Sequence, residues 1–482
     1  MATISMIVPM HTAGAGVPAT INVDTTDDEV NDDGDCSLRE AVISANDNVA
    51  IDDCEKGEDA DIIVIPAGTY VLGITQDSDG DDDVKGDLDV YDAVTLQGAG
   101  AASTVIDANG IDRVIETNGD GIIEVVIDGL TITGGDTTEF GGGSGGGIAA
   151  NDTALTVRDS VVTENEANGG GGGIDSDNDD SGLLLERSVV SNNTASSEGG
   201  GIRQDNDDTS LTVVDSTISG NTAARGGGVH VDNFAVVSIE GSTISGNSAT
   251  GDFGDTQRFR GDGPECGYGG GFSQDDGDSE GNTIVNSTFS GNVADCGGGG
   301  LHMVATTQLT NVTIFGNSSP DAGNVLFEPW DDAKATFVNS IVAEPLLGDD
   351  CLTMDDAIVS AGGNIQSDDT CGFDEASDQT VADVMLGALA DNGGATMTHL
   401  PLEGSAAIDG ALDDPCPEVD QRDLSRPIDG DADGTTACDV GAVEVRTPVP
   451  DTTPTTEPDG DVGANAETPA AQPTVASPVY TG

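Results

Sequence analysis

The chain has 482 residues, including 69 glycines, and its 89 acidic and 14 basic side chains give a formal net charge of −75 at pH 7. This charge excludes nucleic acid as a partner and disfavours an anionic membrane surface, because both require clustered Lys and Arg. Two explanations of the acidity stay open. Clusters of Asp could bind Ca²⁺, or the acidic coat could be adapted to concentrated salt, where the screening length falls to ~3 Å at ~1 M. Salt adaptation is the preferred explanation, and the two are compatible.

The first residues predict export. Residues 1–19 resemble the end of a signal peptide, in which Val17-Pro18-Ala19 is similar to a small-residue cleavage site and Thr20 would begin the mature chain. No run of ~18 apolar residues occurs, so no transmembrane segment is predicted.

The cysteines support the same location. All 8 fall into couples that are close in sequence, which is typical of disulfides formed in an oxidising compartment. No CxxC pair occurs, which disfavours zinc. The predicted disulfides are Cys36–Cys54, Cys266–Cys296, Cys351–Cys371 and Cys416–Cys438.

Residues 20–92 are predicted to form an N-terminal cap. Ser37 and Glu40 fit a capping box, and the apolar residues after Ser37 follow helical spacing, so a short helix should cover the first coil of a larger structure. The segment VDTTDDEVNDDGDCSLREAVISAN (23–46) resembles the CSLREA domain, which lies near the start of secreted bacterial and archaeal β-helix proteins. The segment GDLDVYDAVTLQGAG (86–100) is similar to the part that follows in that family.

Residues 93–345 contain an internal repeat, which decides the fold. Segments such as DSTISGN (215–221) and GSTISGN (241–247) recur every 25–28 residues, with one step of 45. An asparagine that recurs at one place in every coil can bond the next through its side-chain amide, so we predict a structural ladder. Its members are Asn165, Asn193, Asn221, Asn247, Asn292 and Asn317.

Two further elements complete each repeat. One is a glycine triplet followed by an apolar residue, as in GGGI ending at Ile202; the other is a short alternating run such as Leu211-Thr-Val213. Three short β-runs with Gly or Asn at the bends predict an all-β, right-handed parallel β-helix of the pectate-lyase type, in which equivalent runs stack ~4.8 Å apart. A β-propeller or a β-sandwich is the runner-up, but propeller blades need ~40 residues each. The repeats also resemble those of polymorphic outer-membrane proteins, whose tags appear here as GGGI and Phe289-Ser-Gly-Asn292.

The residue after each triplet motif is predicted to face outward, and together these residues form what we call the polar strip. Polysaccharide lyases and hydrolases of this fold generally use a groove on such a face, and a carboxylate beside Arg and His could perform acid–base chemistry. Asp175, Arg203 and His230 are therefore the candidate catalytic residues. The alternative is an ordinary exposed strand face. The members of the polar strip are Asp175, Arg203, His230, Ser273 and His302.

The long repeat step contains an insertion at residues 251–268, which carries Arg258, Phe259, Arg260 and Tyr268, the one basic and aromatic cluster of the sequence. Catalysis would be expected near this loop. Sugar-binding grooves favour Trp and Tyr, however, and this chain has only 1 Trp and 4 Tyr.

Residues 346–446 are predicted to form a C-terminal cap. The segments LGALADNGGATMTHLPLEGSAAIDGA (386–411) and DQRDLSRPIDGDADGTTACDVGAVE (420–444) resemble the choice-of-anchor Q domain, a module that ends many surface β-helix proteins. Residues 447–482 are rich in Pro, Thr and Ala and predict an extended, disordered stalk.

Two Asp-rich turns are candidate calcium loops, because each places three carboxylates at alternate positions near a glycine. Both lack the acidic residue that would complete such a loop, and the alternative is a solvated acidic turn. The candidate ligands are Asp77, Asp79 and Asp81 in the first turn and Asp429, Asp431 and Asp433 in the second.

These features predict a secreted or cell-surface β-helix with a non-enzymatic adhesion or envelope role. Its partner would be a glycan or protein of the cell surface or extracellular space, and calcium is the one cofactor considered. The alternative is an extracellular polysaccharide lyase or glycoside hydrolase of the β-helix type.

Overall fold

A computed structural model describes residues 18–75, 85–138, 143–177, 181–206, 209–233, 235–251, 266–276, 281–354 and 356–446. The predicted signal segment 1–19 lies almost entirely outside these residues. The stalk 447–482, the candidate ligands Asp77, Asp79 and Asp81, and the insertion residues Arg258, Phe259 and Arg260 lie wholly outside them.

Equivalent β-runs of successive repeats stack as parallel strands in two sheets. The register follows the sequence repeat, so that Val190 pairs with Ile218 and Ile218 pairs with Ile244. The structure is a right-handed parallel β-helix, as the sequence predicted. No helix among the described residues is long and apolar enough to cross a membrane.

The short sheet takes one strand from each coil. Its 12 strands are Gly68–Val71, Thr104–Asp107, Thr131–Thr133, Val161–Thr163, Val189–Ser191, Thr217–Ser219, Thr243–Ser245, Thr288–Ser290, Thr313–Phe315, Ile341–Ala343, Ile365–Gln366 and Gln379–Thr380.

The long sheet takes the remaining strands and bends around the rest of each coil. Its 25 strands are Thr20–Asn22, Asp61–Ile65, Leu88–Val90, Val94–Gly98, Ile115–Asp128, Ile148–Arg158, Glu166–Ala167, Ile174–Asp177, Gly182–Glu186, Thr194–Ala195, Ile202–Asp205, Ser210–Val214, Thr222–Ala223, Val229–Val231, Val236–Glu240, Ser248–Ala249, Phe272–Gln274, Asn282–Val285, Val293–Ala294, Leu301–Met303, Thr307–Thr310, Ser318–Phe327, Ala335–Val338, Leu347–Thr353 and Ile358–Ser360.

The core is a column of apolar side chains that runs along the axis of the β-helix. Alternation along each strand points one residue inward and the next outward, so Ile218 is fully buried between its partly exposed neighbours Thr217 and Ser219. Complete burial of such an aliphatic side chain contributes about 1.5–3 kcal/mol relative to exposure. Stacking therefore stabilises each coil through its neighbours, as expected of a solenoid.

The one helix of the described residues, Leu38–Asp47, begins at the predicted capping box. The Ser37 hydroxyl accepts from the Glu40 amide, and the Glu40 carboxylate accepts from the Ser37 amide. The buried side chain of Arg39 anchors the helix to the first coils. Its guanidinium donates to Asp28 (2.7 Å) and to the carbonyl oxygen of Asp87 (2.7 Å).

The recurrent asparagines form a continuous buried ladder. The Nδ2 of Asn193 donates to the Oδ1 of Asn221 (3.1 Å), and that of Asn221 donates to the Oδ1 of Asn247 (3.0 Å). The backbone amide of each of these two asparagines donates to the same oxygen as its side chain. The ladder continues past Asn317 to Asn324 (3.0 Å) and Asp350 (3.1 Å).

The glycine triplets leave room for this ladder. A Cβ added at the third glycine, Gly201, would lie 2.9 Å from the Nδ2 of Asn221, and at Gly228 it would lie 2.9 Å from the Nδ2 of Asn247. Such contacts are too short for a real side chain. The two most prominent motifs of the sequence therefore occur together because each triplet passes directly against an asparagine of the ladder.

The segment predicted as a C-terminal cap has two parts. Residues 347–380 add further strands to both sheets. The later part lies alongside the short sheet rather than across its end, because Thr396 donates to the carbonyl oxygen of Gly241 (2.9 Å) and Gln421 donates to Thr243 (2.9 Å).

The cysteines pair as Cys36–Cys54, Cys266–Cys296, Cys351–Cys371 and Cys416–Cys438. The second of these joins adjacent coils, because Cys296 donates its amide to the carbonyl oxygen of Gly267.

Candidate functional site

The polar strip occupies one register position in successive strands of the long sheet. Asp175 pairs with Arg203, Arg203 with His230, His230 with Ser273, and Ser273 with His302. The strip is therefore continuous, as the repeat suggested. It is not an exposed face, because only 4% of Asp175 and 0% of His230 is accessible to solvent.

The burial arises from the turn that precedes each strand. The first glycine of each triplet has a positive φ, which glycine adopts readily, and there the chain bends sharply into the strand. A Cβ added at Gly171 would lie 2.7 Å from the Cβ of Asp175, and one added at Gly226 would lie 2.7 Å from that of His230. The strip thus lies in a concave corner between the strands and the segments that enter them.

Asp175 and Arg203 form a buried ion pair. The Nε of Arg203 lies 2.6 Å from the Oδ1 of Asp175, and its Nη1 lies 3.1 Å from Asp205. Burial raises the pKa of Asp175 to about 6, and the charge of Arg203 opposes that rise. Both candidates are therefore engaged with each other rather than directed at solvent.

A second column of carboxylates runs beside the strip, two residues further along each strand. Asp177 pairs with Asp205, and Asp232 and Asp275 follow the equivalent strands of the next two coils. Burial raises the pKa of Asp232, and Asp275 and Asp205 add to that rise. The corner therefore brings carboxylates of successive coils close together.

The most concentrated group of functional side chains surrounds His230. The Nε2 of His230 lies 3.8 Å from the Oε2 of Glu198, and the ligand atoms of Glu198, His230 and Asp275 lie within 4.8 Å of one another. Arg225 bridges the two carboxylates, with its Nη2 2.6 Å from the Oε1 of Glu198 and its Nη1 in contact with the Oδ2 of Asp275. We call these four residues the His230 cluster.

Of this cluster, the sequence analysis identified His230 alone. Glu198 and Arg225 each precede a glycine triplet and are bridged to each other on adjacent coils. The position before a triplet could have been recognised in the sequence, because residues at that position on adjacent coils lie side by side in the corner. Asp275 could not have been assigned without the register.

His302 ends the strip in a second polar group. Its Nδ1 lies 3.1 Å from the Ser273 hydroxyl and its Nε2 lies 3.2 Å from the carboxylate of Glu328. The ring of Tyr268 covers it, with the ring centroids 5.2 Å apart. Both imidazole nitrogens therefore have partners.

The C-terminal calcium candidates are rearranged relative to the sequence prediction. Asp429 and Asp431 come together with Asp409, whose carboxylate also accepts from the amide of Asp431 (3.0 Å). Asp433 accepts instead from the amide of Thr435 (2.7 Å). An oxygen of Asp429, Oδ1, is buried with no hydrogen-bond partner among the described residues.

Comparisons with known proteins agree with this architecture. The Chlamydia polymorphic membrane protein repeat matches residues 286–303. Among solved structures, the pectate lyase Pel9A is similar over 90% of this chain and 98% of its own, with 15% identity and a TM-score of 0.51. No curated protein matches the chain.

At this identity the likeness to the pectate lyase shows the fold alone. The fold is that of parallel β-helix proteins of the pectate-lyase type, and the disulfides point to an extracellular or surface location. The matched repeat covers a short segment around Phe289, so it identifies a type of coil.

Proposed function

We propose that the protein is a secreted or surface-displayed β-helix with a non-enzymatic role in adhesion or in the cell envelope. Its partner is a glycan or protein outside the cell. The resemblances to the CSLREA and choice-of-anchor Q modules support this proposal, since both occur in secreted or surface β-helix proteins.

One observation carries the proposal. The residues that would perform acid–base chemistry lie in a closed corner: Arg203 and Asp175 are paired at 2.6 Å, and His230 is fully buried. A general acid or base must come within about 2.6–3.2 Å of the atom that it protonates or deprotonates. A polysaccharide chain has no such access to the 4% exposed Asp175.

A paired assay of binding and cleavage tests the proposal. The full chain is incubated with neutral and acidic polysaccharides, with and without CaCl₂, while new reducing ends and unsaturated products are measured. The same protein is applied to a glycan array and to cell surfaces. We expect retention on at least one surface and no cleavage.

The enzyme alternative gives a different pattern. Cleavage that is lost in a folded Asp175→Asn variant, and kept in an Asp159→Asn variant outside the strip, would establish a lyase or hydrolase and overturn the proposal. Absence of both binding and cleavage across the panel would also count against an adhesive role.

A further inference from the structure

We infer that Glu198, His230 and Asp275 bind a divalent transition-metal ion, which joins three successive coils of the β-helix. The inference is independent of adhesion or catalysis. It starts from the geometry of the His230 cluster, whose three ligand atoms lie within 4.8 Å of one another.

The burial of His230 without a hydrogen-bond partner favours a bound cation. Its side chain is 0% exposed, and neither Nδ1 nor Nε2 has a hydrogen-bond partner among the described residues. A buried polar group without a partner is unfavourable by about 1–3 kcal/mol, so native proteins rarely leave one. Here the ring is directed at two carboxylates, an arrangement that a bound cation would complete.

The contrast with His302 strengthens this argument. His302 occupies the same strip, two strands further along, and is also buried, but both of its nitrogens have partners in Ser273 and Glu328. The corner can therefore satisfy an imidazole with protein groups alone. At His230 the groups in place are carboxylate oxygens, which are metal ligands.

Arg225 holds the two carboxylates in place. It contacts one oxygen of Glu198 and one oxygen of Asp275. The other oxygen of Glu198, Oε2, lies 3.8 Å from the Nε2 of His230, and Asp275 also accepts a hydrogen bond from the side chain of Ser273. Outer partners of this kind orient metal ligands, and their loss typically weakens metal binding ~10–100-fold.

The local charge also favours a bound cation. Among the described residues, Asp205 and Asp232 lie close to the cluster in addition to Glu198 and Asp275, and the arginines that pair with these carboxylates are Arg203 and Arg225. The surplus of negative charge favours a further cation. A ring nitrogen with two carboxylate oxygens suits a transition metal such as Zn²⁺, whereas Ca²⁺ takes 6–8 oxygen ligands.

The site differs from the zinc sites that cysteine patterns reveal. Its ligands come from residues far apart in sequence, namely a position before a triplet, a strip residue and a strand end. The absence of a CxxC pair therefore carries no weight against it. The ion would link Glu198, the strand Val229–Val231 and the end of the strand Phe272–Gln274.

Zn²⁺ binding to the full chain tests the inference. The protein is stripped with a chelator and titrated with ZnCl₂ by calorimetry in excess CaCl₂, which occupies oxygen-only sites. We expect one tight equivalent per chain, and binding at least ~100-fold weaker in His230→Phe, a loss above that typical of outer partners. The matched control His302→Phe, on the same strip, should keep the wild-type affinity.

Two further measurements guard against a variant that fails to fold. Glu198→Gln and Asp275→Asn remove one carboxylate each with little change in shape, and both should weaken Zn²⁺ binding. Zinc-edge X-ray absorption of the wild-type protein should show a single imidazole ligand. No stoichiometric Zn²⁺ binding, equal affinity in His230→Phe and wild type, or a ligand shell without imidazole would each overturn the inference.

Discussion

The asparagine ladder and the polar strip are two columns built by the same repeat, and they differ in almost every physical respect. The six predicted asparagines of the ladder are uncharged, and each one from Asn193 to Asn317 accepts two hydrogen bonds on one oxygen. The strip changes residue type at each coil and carries buried charge. Asp175 is neutralised by Arg203, and His230 has no hydrogen-bond partner among the described residues.

The comparison shows what a repeat can and cannot specify. Uniform columns stabilise the stack, because every coil presents the same groups to the next. A column whose residues vary from coil to coil is free to hold one specific cluster. We therefore place structural roles in the ladder and look for binding in the corner beside the strip.

The largest expected decrease in stability follows from the removal of Arg203. Arg203→Leu would leave Asp175 as an uncompensated buried charge, and we expect a loss of about 3–5 kcal/mol of unfolding free energy. Arg158→Leu is the control, because its ion pair with Asp128 is more exposed than that of Arg203 and should contribute at most about 1 kcal/mol. Urea unfolding measures both. Equal effects would show that the strip is as solvated as the surface.

A break in the ladder should have the next largest effect. Asn221→Ala removes the oxygen that accepts both the backbone amide and the Nδ2 of Asn193, and two orphaned donors should reduce stability by about 2–4 kcal/mol. Asn168→Ala, at an exposed asparagine outside the ladder, should change stability by less than about 0.5 kcal/mol. A tolerated Asn221→Ala would mean that the ladder is dispensable.

The strip should also make stability depend on pH in a way that the asparagines of the ladder cannot. Burial raises the pKa of Asp175 to about 6, above its unfolded value, so the folded state holds this proton more tightly. The contribution of Asp175 to the free energy of unfolding is most favourable below about pH 4. It is lost as the pH rises through about 6, which lowers the free energy of unfolding by as much as about 3 kcal/mol.

We expect Asp175→Asn to flatten that part of the stability curve. Burial also raises the pKa of Asp350 to about 6 and of Asp439 to about 7, so the wild-type curve contains their contributions as well. The test is therefore the difference between variant and wild type from pH 4 to pH 7. A difference that is constant with pH would contradict the pKa assigned to Asp175.

The smallest expected effect concerns calcium at the C-terminal cluster. Saturation of a weak site at about ten times its dissociation constant would stabilise the fold by about 1.4 kcal/mol. Asp431→Asn should abolish this gain, whereas Asp433→Asn should keep it, because Asp433 accepts from Thr435 outside the cluster. Thermal unfolding with CaCl₂ or EDTA measures the gain. Stabilisation by molar NaCl alone would favour salt adaptation instead.

The uniform features were accessible from the sequence. Recurrence of residues such as Asn221 and of the glycine triplets fixed the register and the inward direction of the ladder. The capping box at Ser37 and Glu40 was equally local, since both partners lie within one turn of the chain.

The features of the corner were not accessible in the same way. Period-two alternation shows that His230 points away from the core, but it does not show that the entering segment folds over it. The neighbours Glu198 and Asp275 come from other coils, so only the three-dimensional register brings them together. Asp409 was not predicted as a calcium ligand, because it is distant from Asp429 in sequence and only the fold brings the two together.

We infer that the polar strip is closed to external molecules larger than an ion. Modification of histidine by diethyl pyrocarbonate, mapped by mass spectrometry with EDTA present, tests it most directly. We predict that His230 and His302 react much more slowly in the folded protein than in the denatured chain, since reaction requires local opening. Reaction of His230 at a rate close to that of the denatured chain would show an open strip, contradict the claim and restore the enzyme alternative.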